Sequence, residues 1–147
     1  MTKLMNFILC DRPVSDTGLS IALLMFRLFA GGMMLPYGFE KIGNFQAYSI
    51  NFFDDPIGIG MMPSLLLTIF AQIGCSIALI AGLFPRAAAM ILAFNMAVAS
   101  KYHWHDDFVT LSLPLLFLGI YCLLIVLGGG KFSINSLLFG NRVEKNG

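Results

Sequence analysis

Residues 19–42 read LSIALLMFRLFAGGMMLPYGFEKI, an almost entirely apolar run with one charged side chain well inside it, Arg27. A helix needs about 20 mainly apolar residues to cross a bilayer, so this run is long enough. An arginine at membrane depth costs about 2.5–3.5 kcal/mol on insertion scales, so we expect Arg27 to face protein or water. At about 100° of rotation per residue, it shares a helical stripe with Gly31, Met34, Gly38 and Lys41. Glycines on that stripe predict close approach by a second helix.

The composition of the whole chain points to a membrane protein. Its 147 residues are 58% hydrophobic and 12% charged, whereas soluble domains carry about 25% charged residues. The length fits one domain, residues 1–147. A net charge of +1 without a basic cluster gives no indication of nucleic-acid binding. The three cysteines are far apart and form no C-x-x-C pair, which excludes thioredoxin-like and zinc-ribbon interpretations.

Three further apolar runs follow the first. The sequence therefore predicts an all-α fold, a four-transmembrane-helix bundle with spans at 19–42, 63–84, 86–102 and 107–128. Aromatic residues at 45–53 favour the membrane–water interface and predict a short interfacial segment between the first two spans. Residues 1–18 mix charged and apolar side chains and predict another interfacial segment.

The basic residues predict the orientation. Four spans place six of them on one side, namely Lys3, Arg12, Arg86, Lys131, Arg142 and Lys145. The other side holds Lys41 and Lys101. Because cytoplasmic loops are enriched in Lys and Arg, both termini are expected in the cytoplasm. We expect a multi-pass protein of the bacterial cytoplasmic (inner) membrane.

Three groups of residues resemble the signatures of the DoxX family. They are R-L at 27–28 with G-G at 31–32 and Y-G-F-E-K-I at 37–42, then G-L-F-P-R-A-A at 82–88, then G-G-G-K-F-S at 128–133. The resemblance implies a four-helix membrane protein. It also implies a link to quinone-coupled oxidoreduction, as in a thiosulfate:quinone oxidoreductase subunit, or to oxidative-stress membrane complexes. The chain departs from the family pattern at two positions: Gln72 stands where a glutamate is common, and Tyr37 where a histidine is frequent.

Four polar side chains inside the predicted spans form the candidate ligand site: Arg27, Gln72, Asn95 and Tyr121. A guanidinium, two amides and a phenol can bind the carbonyl oxygens of a quinone head group. Under the alternative interpretation, these groups satisfy one another and hold the helices together. Gln72 cannot take up a proton as a glutamate would, so the predicted role is binding and orientation.

A second polar group lies in the connectors on the outer side, where His103, His105 and Asp106 follow the third run. These residue types can ligate metals, and Glu40 and the Asp54–Asp55 pair are expected on the same side. The spacing H-x-H-D-D is not a zinc pattern, so we predict a solvated turn, and His103, His105 and Asp106 stay weak candidates for a metal site.

Two functions stay open at this stage. The first is an integral membrane subunit of a quinone-linked oxidoreductase or oxidative-stress complex, with quinone as the possible cofactor. The chain carries no haem, flavin or iron–sulfur motif, so a redox partner protein would supply the redox centre. The second is a non-enzymatic scaffold, assembly or lipid-binding protein. The bilayer is the expected partner in both, and a homo-oligomer is compatible with either.

Overall fold

A computed structural model describes residue 3 and residues 16–52 and 57–138. Three predictions fall outside these residues. They concern the interfacial segment at the start of the chain (apart from Lys3 and residues 16–18), the Asp54–Asp55 pair, and the basic tail after residue 138.

The described residues form helices and turns, with no strand among them. The four long helices are α1 (Thr17–Gly43), α2 (Met61–Ala81), α3 (Pro85–Tyr102) and α4 (Phe108–Leu127). Each agrees with a predicted span to within three residues at either end. The all-α prediction is therefore confirmed for this part of the chain.

Three of these helices, α1, α2 and α4, are long and apolar enough to cross a membrane. Helix α3 has 18 residues, about 27 Å of helix, but Arg86, Asn95 and Lys101 make it more polar than the others. The count of four spans and the orientation of the termini therefore stay predictions.

Local sequence accounts for the helix ends. Asp16 caps α1 by accepting a hydrogen bond of 2.9 Å from the Gly18 N–H. Gly82 ends α2 in the left-handed conformation, at φ 75° and ψ 28°, which glycine adopts without steric cost. Pro85 then opens α3 in the first turn, where its missing N–H is not needed. These features make the α2–α3 connection only three residues long.

Helix α2 is not a regular α-helix throughout. Its middle, Phe70–Cys75, is a π-helical turn between the α-helical stretches Met61–Ile69 and Ser76–Ala81. The segment between α1 and α2 is helical, with a helical turn at Phe45–Ala47 and a second π-helical turn at Tyr48–Phe52. Its position at the membrane interface stays a prediction.

Packing buries one stripe of α1 and leaves large apolar side chains outside. The stripe includes Leu23, Arg27, Ala30, Gly31, Met34 and Gly38, which confirms that Arg27 faces the bundle. Helix α1 packs along α2, and α3 packs along α4. Side chains such as Phe70, Phe94 and Val126 point outward, as expected where lipid is the solvent.

Candidate functional site

Arg27 is completely enclosed by protein, at 0% exposure. Its Nη2 donates a hydrogen bond of 2.7 Å to the backbone carbonyl oxygen of Phe132. A side chain on a helix leans toward the helix N-terminus, which directs the guanidinium toward the start of α1. The charge is therefore held near one end of the bundle, by a segment that follows α4.

Three distant segments meet at this guanidinium. A Cβ atom at Gly82 would overlap Arg27 Nη1 and would lie 2.7 Å from the Cβ of Ser133. The Asn135 N–H donates a hydrogen bond of 3.0 Å to the Gly82 carbonyl oxygen. We call this group, Arg27, Gly82, Phe132, Ser133 and Asn135, the Arg27 cluster. It joins α1, the α2–α3 turn and the segment after α4.

The segment after α4 is shaped by glycines and a serine. Gly128 and Gly130 have positive φ angles of 80° and 73°, which reverse the chain after α4. Ser133 Oγ donates to the Gly130 carbonyl oxygen at 3.0 Å and accepts from the Ser136 N–H at 3.1 Å. Gly130 also fits closely on α1, because a Cβ there would lie 3.2 Å from the Cα of Ser20. A short helix, 134–138, then begins.

Gln72 lies in the π-helical turn of α2 and is 6% exposed. A Cβ at Gly38 would lie 3.3 Å from the Cβ of Gln72, so Gln72 sits beside α1. Its Oε1 is buried and accepts no hydrogen bond from any described residue. A buried acceptor left without a donor costs about 1–3 kcal/mol. This oxygen therefore favours the presence of a donor from outside the described residues.

Tyr121 is fully buried in α4. Its hydroxyl donates a hydrogen bond of 3.2 Å to the Ala30 carbonyl oxygen on α1. The ring stacks on Phe117, with centroids 6.1 Å apart. The hydrogen bond to Ala30 ties α4 to α1. Tyr121 thus has the structural role of holding helices together, which was the alternative interpretation of this residue in the sequence.

Asn95 lies on α3 at the same depth as Gln72. Gln72 precedes Gly82 by ten residues and Asn95 follows Pro85 by ten, so each lies about 15 Å from the turn that joins their helices. The π-helical turn of α2 packs against α3. Asn95 is half-buried there.

The four predicted site residues therefore do not form one group. Gln72 meets α1 at Gly38, eleven residues beyond Arg27, a rise of about 16 Å. The guanidinium lies at the opposite end of α2, against Gly82. Gln72 and Asn95 form a middle layer of the bundle, whereas Arg27 belongs to its end.

The polar groups at the far end of the bundle are exposed or half-buried. His103 Nδ1 and Asp106 Oδ2 are 2.6 Å apart. Among the described residues, no three His, Cys, Asp or Glu side chains lie close enough together to hold a metal ion. Tyr48 donates a hydrogen bond of 3.0 Å to Glu40 Oε1. That hydrogen bond, followed by partial burial, raises the pKa of Tyr48.

Reasoning from single residues missed Gly82, Ser133 and Asn135. The signal that could have identified them is the pair of motifs at 82–88 and 128–133, which the chain presents far apart and the fold brings together at Arg27.

Fold and site together define a small, helical, multi-pass membrane protein. The DoxX family model matches residues 22–105, which cover more than half of the chain and run from α1 to the end of α3. The chain belongs to the DoxX family. No match was found to a curated protein or to a solved structure.

Proposed function

We propose that this chain is the membrane subunit of a quinone-linked oxidoreductase or oxidative-stress complex, and that it binds the quinone head group beside Gln72. The buried Gln72 Oε1, which has no donor among the described residues, carries the proposal. π-Helical turns occur often at functional sites, and this one holds Gln72 between α1 and α3. Asn95, at the same depth, is the second candidate ligand.

The amide suits both redox forms of such a ligand. Its Oε1 can accept a hydrogen bond from a quinol hydroxyl, and its Nε2 can donate one to a quinone carbonyl. Gln72 therefore binds and orients the head group without exchanging a proton with it. Arg27 and Tyr121, which the sequence placed in the same site, each donate to a backbone carbonyl oxygen. We assign them to the framework around the site.

The proposed topology has four spans, with the segments before α1 and after α4 in the cytoplasm. The six-to-two distribution of Lys and Arg supports it. In the bacterial inner membrane, α3 would cross with its polar side chains toward the bundle or the interfaces. A partner protein would carry the redox centre, since the chain has no motif for one.

Titration of a ubiquinone or menaquinone analogue into the detergent-solubilised protein tests the site. We expect saturable binding by the wild type and an affinity about tenfold lower in Gln72→Leu, the equivalent of a buried hydrogen bond worth about 1.4 kcal/mol. The chain has one other glutamine, Gln46, which is exposed, so Gln46→Leu is the matched control. Equal affinity of wild type and Gln72→Leu would overturn the site.

A non-enzymatic scaffold or assembly protein, or a lipid-binding one, is the second candidate. The Arg27 cluster favours it, because the buried charge of Arg27 holds three distant segments of the chain together. That is a structural role and not a ligand-binding one. If the wild type binds no quinone analogue saturably, this function replaces the first.

A further inference from the structure

Four polar side chains form a row along α2. Gly and Cys aside, they are the polar residues of Met61–Ala81, and each follows the last by four positions: Ser64, Thr68, Gln72 and Ser76. The row extends over 12 steps from one residue to the next, about 18 Å at the α-helical rise. An otherwise apolar helix thus carries polar groups through more than half of a membrane thickness.

The π-helical turn keeps this row on the inner face. In a regular α-helix, a step of four residues overshoots a full turn by about 40°, so three steps rotate a row by about 120°. The wider π-helical turn at Phe70–Cys75 takes more residues per turn and rotates the row back. As a result Ser64, Gln72 and Ser76 are all buried, and Thr68 is half-buried.

Ser76 and Gln72 differ from Thr68 and Ser100 in their hydrogen bonding. Thr68 and Ser100 each donate to the carbonyl oxygen one turn earlier. Ser76 is 0% exposed, yet its Oγ has no hydrogen-bond partner among the described residues, and neither has Gln72 Oε1. Two neighbouring turns of one helix thus present buried polar atoms that the described part of the chain does not satisfy.

Buried polar atoms are satisfied in nearly all folded proteins, and ordered water is the usual partner when the protein offers none. A water between Gln72 and Ser76 would meet the amide and the hydroxyl. The side chains of Ser64 and Thr68 continue the polar surface toward the end of the bundle where α2 begins.

We propose that this row on α2 supports a file of water molecules, which carries protons between the Ser64 end of the bundle and the buried pair Gln72 and Ser76. Each hydroxyl or water accepts one proton and releases another, so the file is chemically unchanged after each transfer. The file ends at Ser76, because the positive charge of Arg27 lies beyond it in that direction, against Gly82. A fixed positive charge repels protons and cations, as in other membrane pores. The proposal stands whether or not a quinone binds.

Solid-state NMR of the wild type in lipid tests the hydration directly. With ¹⁵N-labelled glutamine, the chain gives two side-chain amide signals, from Gln46 and Gln72. We expect polarisation transfer from water to both amides, at comparable rates, although Gln72 is 6% exposed in the protein. The same measurement on a sample labelled at asparagine allows the Gln72 amide to be compared with the Asn95 amide, which lies at the same depth on α3. A Gln72 amide that receives no polarisation from water would overturn the proposal.

Thiol accessibility tests the direction. In a variant without Cys10, Cys75 and Cys122, single cysteines replace Ser64, Thr68, Gln72 and Ser76 in turn, and Ag⁺ is applied to vesicles of either orientation. We expect reaction from the Ser64 end, at least tenfold faster than for Leu65→Cys, a fully buried neighbour off the row. From the Arg27 end we expect no reaction above that control. Row thiols that react no faster than Leu65→Cys, or equally from both ends, would contradict a one-ended file.

Discussion

The Arg27 guanidinium donates a 2.7 Å hydrogen bond to the Phe132 carbonyl oxygen, across 105 positions of sequence. One side chain of α1 thus fastens the segment that follows α4. The charge does not lie in the middle of the bundle, because its Nη1 reaches the level where α2 ends at Gly82. The free-energy cost of placing a charged side chain in lipid is therefore offset by backbone dipoles of the protein at the end of the bundle, such as the Phe132 carbonyl group.

Replacing Arg27 by methionine should release this segment. The Phe132 carbonyl oxygen would lose its donor, at a cost of about 1–3 kcal/mol in the free energy of unfolding. We expect a lower melting temperature in detergent and faster trypsin cleavage at Lys131. Leu28→Ala, at an exposed neighbouring position, is the control. Wild-type cleavage kinetics in Arg27→Met would show that the hydrogen bond does not hold the segment.

Gly82→Ala should destabilise the protein for two reasons. The left-handed backbone costs about 1–2 kcal/mol for a residue with a side chain, and the new methyl group would overlap Arg27 and Ser133. Gly119 offers the opposite case, since a Cβ there meets no atom within 4 Å. Gly119→Ala, inside α4, should be neutral or stabilise by up to about 1 kcal/mol. The test is the melting temperature of each variant relative to the wild type. A melting temperature of Gly82→Ala equal to or above that of Gly119→Ala would contradict this prediction.

Gly38→Ala should push α1 away from α2, because the added methyl group would overlap Ile73. Overpacking of this kind costs about 1–3 kcal/mol. Gly32→Ala is the matched control on the same helix, where a Cβ meets nothing within 4 Å.

A double mutant separates overlap from other effects of the Gly38 substitution. Ile73→Ala removes the atoms that the new methyl group would meet, so Gly38→Ala should cost less in that background than in the wild type. Denaturant or thermal unfolding of the four proteins measures the coupling. Additive effects would mean that the two side chains do not collide.

Because of the Tyr48–Glu40 hydrogen bond, the free energy of unfolding should change with pH in the alkaline range. This hydrogen bond favours the neutral phenol and raises the pKa of Tyr48 above its usual value near 10. The contribution to folding is fully present below that usual value and is lost as the pH rises through the raised pKa. Tyrosinate absorbance, compared between wild type and Tyr48→Phe, measures that pKa. Glu40→Gln should lower it; an unchanged value would contradict the assigned cause.

The sequence predicted the elements more successfully than their contacts. Run length and turn residues place four helices within three residues of their limits, and the stripe of Arg27, Gly31 and Gly38 is buried as its spacing predicts. The partner of Arg27 could not be predicted in this way. It is a backbone carbonyl group, and every residue of the chain has one, so composition and spacing cannot distinguish Phe132.

The helical period of the sequence also could not predict the π-helical turn or the separation of Gln72 from Arg27. A fixed rotation of 100° per residue assigns both residues to interior faces but does not give the stagger of neighbouring helices. Helix α1 begins well before the level at which α2 ends, since Arg27, ten residues into α1, already meets Gly82. That stagger arises from the close contacts of Gly31 with Ile80 and of Gly38 with Ile73.

The link between Arg27 and Phe132 also sets an order of events during synthesis. At about 5–20 residues per second, a ribosome adds Phe132 roughly 5–20 s after Arg27. Throughout that interval the first hydrophobic helix exists with its arginine but without the carbonyl group that receives it. The nascent chain must therefore keep this helix near water, the translocation machinery or lipid head groups until the fourth helix has emerged. Release of Arg27 from that temporary environment then coincides with completion of the bundle.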